Sequence, residues 1–270
     1  MADFIDNNFV REVEFLKALV WVPSDNPPGD CARHAREAAT LYEALGFTVE
    51  RHPVPRDICA RHGMISVTNL IVRQRFGTGR GPTIALNAHG DVVPPGTGWT
   101  VDPYGGVEKD DAIYGRGAAI SKSDFATYGF ALLALKAAPA GLDGTVELHL
   151  TYDEETGGFV GPHWLLQEGL TKPDFAISAG FTYAIVTAHS GCLHLEVTVR
   201  GRQAHAAMPE TGADALEAAT SVLGALYEER RRIAARTSEV AGIGSPKPTV
   251  GVIHRGINTN EEPGEGTMKI

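Results

Sequence analysis

From Phe9 to Val20 the apolar residues recur at helical spacing (Phe9, Val10, Val13, Phe15, Leu16, Leu19, Val20), which predicts an amphipathic first helix. Chain breakers follow at Pro23, Asn26, Pro27, Pro28 and Gly29. A second helix is predicted from Cys31 to Leu45, with Gly46 where a helix C-cap belongs. Phe47 to Arg51 alternates like a strand, and Thr68 to Arg75 and Thr83 to Ala88 read as two more. The last of these is apolar throughout except at Asn87, the pattern of an inner strand in a sheet covered on both faces. An alanine-rich helix from Ala126 to Ala138, a strand from Thr145 to Tyr152, a short helix from Pro162 to Gly169 and a strand from Phe175 to Ser178 complete the series. Strands alternating with helices predict an α/β layer architecture: a mixed, mostly parallel sheet flanked by helices.

The pattern changes near residue 190. Cys192 to Arg200 alternates over its whole length, predicting a strand with one solvated face. A long helix is predicted from Asp214 to Ala235, then strands from Thr249 to His254 and from Thr267 to Ile270. This is a small two-layer α+β module of ferredoxin-like type, so the expected boundary separates residues 1–188 from 189–270. Arg230, Arg231 and Arg232 crowd the end of the long helix, where cations complement the helix dipole.

Composition narrows the classes. The 270 residues are 43% hydrophobic and 21% charged, an ordinary globular balance. The net charge of −9 opposes a nucleic-acid partner, whose phosphates it repels. Three widely spaced cysteines, Cys31, Cys59 and Cys192, make neither a disulfide framework nor a zinc-finger pattern. The N-terminal segment has no basic region leading into an apolar stretch, and no apolar run is long enough to span a bilayer. The expectation is a cytoplasmic protein with no membrane partner.

Four segments carry candidate chemistry, and all lie at strand ends or in the loops after them, where open α/β sheets bind ligands. His89 follows an apolar strand, with Asp91 two residues on. That spacing suits a metal-ligating imidazole held by a carboxylate, although a locally hydrogen-bonded loop histidine has the same signature. Gly115 and Gly117 punctuate a loop running to Asp124, without the spacing of a phosphate-binding loop. Asp153, Glu154 and Glu155 close a strand ahead of Gly157 and Gly158. Carboxylates so crowded raise one another's pKa unless a cation holds them, so a ligand beside a general base explains them economically. His205 sits in a loop of small residues before the long helix, as a cap, a surface residue or a donor to an oxyanion.

Taken in order, these segments resemble the zinc-dependent amidohydrolase and exopeptidase family that includes acetylornithine deacetylase, succinyl-diaminopimelate desuccinylase, the aminoacylases and glutamate carboxypeptidase. The carriers are Pro23 to Gly29, His89-Gly90-Asp91, Trp99 with Asp102 and Pro103, Gly115-Arg116-Gly117, Glu154-Glu155 with Gly157-Gly158, Gly201 with His205, Pro209 and Gly212, and Gly256 to Asn260. The resemblance runs from about Phe15 to Ile270. It implies a pair of zinc ions, with manganese or cobalt as alternatives, His89 being a ligand to one and Glu155 to the other, with Asp91 orienting His89 and Glu154 as general base. It further implies that His205 steadies the tetrahedral intermediate from a lid and dimerisation module, that Asn260 contacts the substrate carboxylate, and that the substrate is a small amide or peptide-like molecule. The implied assembly is a homodimer.

The sequence departs from that family at the metal ligands. The bridging aspartate expected three residues after Gly115-Arg116-Gly117 is Ile120, and the third acidic ligand falls at Gly180. Asp124 lies one helical turn beyond Ile120, either reaching the site or simply starting a helix. The family pattern also continues past Ile270 to a final histidine ligand, so the small module is expected to be incomplete and a sheet edge exposed. Two readings follow: a metal-dependent hydrolase of amide or other C–N bonds with an altered site, or a catalytically impaired or truncated member that binds or oligomerises.

Overall fold

The computed structural model describes residues 2–138, 141–180, 182, 184–255 and 261–270. They form two compact units, Met1–Phe181 and Thr182–Ile270.

The first unit runs α1 (Ala2–Val20), α2 (Ala32–Ala44), β1 (Val49–Pro53), α3 (Arg56–Arg61), β2 (Thr68–Phe76), β3 (Thr83–His89), β4 (Val107–Lys109), β5 (Ala112–Tyr114), α4 (Lys122–Ala137), β6 (Gly144–Thr151), α5 (Pro162–Gln167) and β7 (Phe175–Ser178). Among the described residues the main sheet has five strands in the order β1-β2-β6-β3-β7. β6, β3 and β7 are parallel neighbours, and β2 runs against both β6 and β1. Four strands therefore point one way, in line with the expected mostly parallel sheet.

Helices α1, α2 and α4 cover one face. Leu148 and Leu150 of β6 belong to one buried hydrophobic cluster with Phe15, Leu19, Tyr42, Phe125 and Phe130. Each such side chain contributes about 1.5–3 kcal/mol on leaving water. Phe15 presents its ring edge-on to Tyr42 at 5.3 Å and to Phe130 at 6.0 Å. Alternation turns Glu147 and His149 to the opposite face. There Arg73 pairs with Glu147, and His149 Nε2 lies 2.8 Å from the same carboxylate.

Some expected elements shift. α1 begins at Ala2, where Asp3 favours the helix start, and Phe9 and Val10 are exposed while Phe15, Leu16, Leu19 and Val20 carry the buried stripe. β1 starts two residues late and α4 four residues early. The short α3 and the β4–β5 hairpin carry no periodic signal. The hairpin turns on Asp110 and Asp111, both at positive φ (52° and 56°), the backbone a two-residue hairpin loop requires, supplied here without glycine.

The second unit holds β8 (Glu196–Arg200), β9 (Ala204–His205), α6 (Ala215–Ile233), β10 (Val252–Arg255), β11 (Glu261–Glu262) and β12 (Glu265–Lys269). β10, β12 and β8 form an antiparallel sheet with α6 packed on β8 and β12. Asp214 caps α6 by accepting the Leu216 N–H at 2.7 Å. The strand expected from Cys192 begins only at Glu196, because the ladder with β12 covers Glu196–Arg200 and ends on the reciprocal bonds of Leu195 with Ile270. Leu193 is left exposed.

Candidate metal centre

β3 and β6 are adjacent and parallel, with His89 directly opposite Thr151. Their carboxyl ends, and the loops that follow them, therefore open at the same edge of the sheet. His89 ends β3; Asp153, Glu154 and Glu155 follow β6, the last two in a single 3-10 turn ending at Thr156. Gly90 N donates to Thr151 O at 2.9 Å, stitching the two loops together. Gly90 has no room for a side chain, since a Cβ there would lie 2.5 Å from the Tyr152 ring.

Asp91 is the hub. Its carboxylate is fully buried and accepts four contacts. His89 Nδ1 lies 3.3 Å from Oδ1 and 3.0 Å from the Asp91 backbone oxygen. Asn26 Nδ2 donates to Oδ2 at 2.9 Å. The backbone N–H groups of Glu154 and Glu155 donate at 3.3 and 3.2 Å. Burial alone would raise the Asp91 pKa, but the hydrogen bonds from His89 and Asn26 and the imidazole's charge lower it on balance. For His89 the largest influence, burial, lowers the pKa; the bond and charge of Asp91, with Glu154, outweigh it and raise the value.

With two acceptors on Nδ1, the proton of neutral His89 belongs there, which leaves the Nε2 lone pair free. Nε2 faces the glutamates, 3.9 Å from Glu154 Oε2. One ligand atom each from His89, Glu154 and Glu155 lies within 4.8 Å of the other two, and among the described residues no other set of three or more such side chains does so. Burial, then the charges of Glu154 and Asp91, push the Glu155 carboxyl above its ordinary range. An imidazole and two carboxylates suit a divalent cation: atoms about 2.0–2.2 Å from one ion lie at most about 4.4 Å apart, so small side-chain movements close the set.

The family model of Peptidase family M20/M25/M40 matches residues 85–262. The chain belongs to this family. A succinyl-diaminopimelate desuccinylase of Sulfurimonas denitrificans is 39% identical over 211 residues, 74% of this chain and 52% of that protein. An acetylornithine deacetylase of Myxococcus xanthus is 36% identical over 232 residues, 84% of this chain and 57% of that protein. The solved structure of a dipeptidase from Saccharomyces cerevisiae superposes with a TM-score of 0.72 at 14% identity, covering 99% of this chain and 70% of its own, a likeness of fold. The chain spans about half the length of the curated relatives it matches.

The remaining positions of the M20 pattern divide. Ile120 is half-buried hydrocarbon just ahead of α4, and Gly180 is exposed beyond β7, with open space where a Cβ would stand. Asp124, in the first turn of α4, accepts the Ser121 hydroxyl at 2.9 Å and stays outside the three-residue group. Its pKa is raised by burial and eased back by Ser121 and the charge of His89. His205 stands on β9 in the second unit, where Nδ1 accepts the Ala207 N–H at 3.1 Å. Asn260 lies outside the described residues.

Three residues shape the site in ways the sequence pattern did not assign to them. Asn26 bridges Asp91 and the Thr156 hydroxyl, the latter at 3.2 Å. Asp153, its pKa pushed by burial up to about 7, accepts the Val160 N–H at 2.6 Å and so closes the loop behind the glutamates. Lys122 is wholly buried; its Nζ donates to Val22 O at 3.0 Å and Leu19 O at 3.3 Å, tying the end of α1 to the start of α4. Burial lowers the Lys122 pKa to about 8. Asn26 was signalled only by its place in the breaker segment, Asp153 only by its neighbours.

Proposed function

We propose that this M20 chain is a metal-dependent hydrolase of an amide or other C–N bond, acting on a small acylated amino acid or peptide-like substrate. The observation carrying the reading is the free Nε2 of His89 facing two glutamates while buried Asp91 holds Nδ1. The desuccinylase and deacetylase names of its relatives point to N-acyl amino acids as the first substrates to try. Zinc, with manganese or cobalt as alternatives, would be held by His89 and Glu155 and would supply Lewis-acid activation, which lowers the pKa of water from 15.7 to about 7.

The residues of the chain do the rest. Asp91 keeps His89 in one tautomer and one orientation. Glu154, on the exposed side of the cluster, accepts a proton from the attacking water. The hydroxide oxygen bonds to the acyl carbon, the C–N bond breaks, and Glu154 returns the proton to the leaving nitrogen. His205 donates to the developing oxyanion from the partner copy of a homodimer, whose lid and dimerisation module is the second unit, residues 189–270 in the sequence reading. Asn260 takes the substrate carboxylate. The reading places the protein in the cytoplasm; no helix among the described residues is long and apolar enough to cross a membrane.

The test is release of free amine from N-acetyl and N-succinyl amino acids and from dipeptides, with each metal added. Turnover that chelator abolishes and Glu154→Gln reduces by about 10²–10⁴-fold is expected. No release with any metal, or full turnover in Glu154→Gln, overturns the reading.

A further inference from the structure

We infer that His89, Glu154 and Glu155 hold one divalent cation, not two, and that Glu154 is one of its ligands rather than a proton acceptor alone. The inference rests on reading the cluster as a cation site, and not on hydrolysis itself.

Three observations carry it. The first is spacing. Ligand atoms of one ion sit about 3–4.4 Å apart when each is about 2.0–2.2 Å from it, and His89 Nε2 and Glu154 Oε2 are 3.9 Å apart. The Glu154 side chain is 63% exposed, so it is free to shorten its distance to the other two without disturbing the core. A carboxylate has two oxygens; one on the cation leaves the other for a proton.

The second is the supply of donors. Two cations at the separation used by dinuclear hydrolases, about 3.5–4 Å, need further side chains, since zinc sites take about three or four protein ligands each. The described residues offer one group of three. Ile120 offers only hydrocarbon and Gly180 no side chain. Asp124, close enough for the charge of His89 to be felt, is engaged by Ser121 and outside the group. Asp91 is filled by His89, Asn26 and two backbone N–H groups.

The third is charge. Glu154 and Glu155 together neutralise one divalent ion beside a neutral imidazole.

Equilibrium dialysis of the 270-residue chain against Mn(II) or Zn(II), with bound metal counted by elemental analysis, tests this directly. One ion per chain is expected, and frozen Mn(II) samples should give the six-line spectrum of an isolated ion. Two ions per chain, a spin-coupled spectrum, or no bound ion overturns the inference. Glu154→Gln and Glu154→Ala should each weaken the ion by roughly tenfold or more, with unchanged melting of the metal-free protein, while Asp124→Asn leaves affinity as it was. Wild-type affinity in both Glu154 variants assigns that residue to proton transfer alone and overturns the ligand assignment. Amine release, measured separately, distinguishes the failures: one bound ion without turnover defeats the hydrolase reading only, and turnover with two ions defeats this one only.

Discussion

Asn26 and Asp91, 65 residues apart in the chain, meet side chain to side chain at 2.9 Å, and both are buried. The contact joins the breaker segment after α1 to the loop after β3, where Asn26 N also donates to Val92 O at 2.8 Å. Through Asp91 the same contact reaches His89 on one side and the backbone of Glu154 and Glu155 on the other. The glutamates are thus positioned by residues outside their own loop.

Asn26→Ala removes a donor to a buried carboxylate and leaves that carboxylate short of a partner. Such a loss costs about 1–3 kcal/mol. Chemical denaturation should show a drop of that size, and cation affinity should fall with it. An unchanged midpoint would mean that water replaces the amide fully.

Asp91→Asn keeps the shape but removes the charge that fixes the His89 tautomer. Cation affinity should fall by about 10–100-fold, the usual effect of losing a partner behind a metal ligand. Calorimetric titration checks it. Affinity within twofold of wild type would show that the backbone oxygen, 3.0 Å from Nδ1, holds the ring unaided.

Lys122 sheds its proton near pH 8 when folded and near 10.5 when unfolded. Between those values the unfolded chain binds more protons, so stability rises with pH across that window. The interval of 10.5 to about 8, at 1.36 kcal/mol per unit, corresponds to roughly 3 kcal/mol. Relative to Lys122→Met, the wild type should gain about that much between pH 7.5 and 10.5 in denaturant titrations. Parallel curves for the two proteins would refute the burial argument.

Gly161→Ala places a Cβ 2.3 Å from Asp153 Oδ1 and 3.1 Å from Thr151 Cβ. The Asp153 carboxylate has to swing away from Val160, opening the loop that carries the glutamates. Overpacking of this kind costs about 1–3 kcal/mol. Thermal melting should show the loss, together with weaker cation binding; a neutral result for both would mean that the loop yields freely.

The alternation of apolar strands and helices was enough to read the layered architecture, and the strands 68–75, 83–88 and 175–178 lie within a residue of their observed ends. Periodicity reports burial of a repeating face, so it marks long elements well. It misses α3 and the β4–β5 hairpin, which are too short to repeat, and it overextends β8 beyond its pairing partner. Likewise Phe9 and Val10 have the right spacing for a core face but lie on the exposed side of α1.

In the candidate metal centre, residue type and position after a strand singled out His89, Asp91, Glu154 and Glu155 but left other uses open, and the family resemblance is what gave each an expected role. Their convergence was a different matter. It depends on β3 and β6 being neighbours and parallel, a pairing of strands some sixty residues apart that no local pattern encodes. The burial of Asn26, Asp153 and Lys122 also follows from packing between distant segments, since a polar residue's partners are set by what the fold brings beside it. The sequence alone determined which chemistry was available; the tertiary structure decided which side chains share one cation-sized space, because distance between them is a property of the sheet and not of the chain.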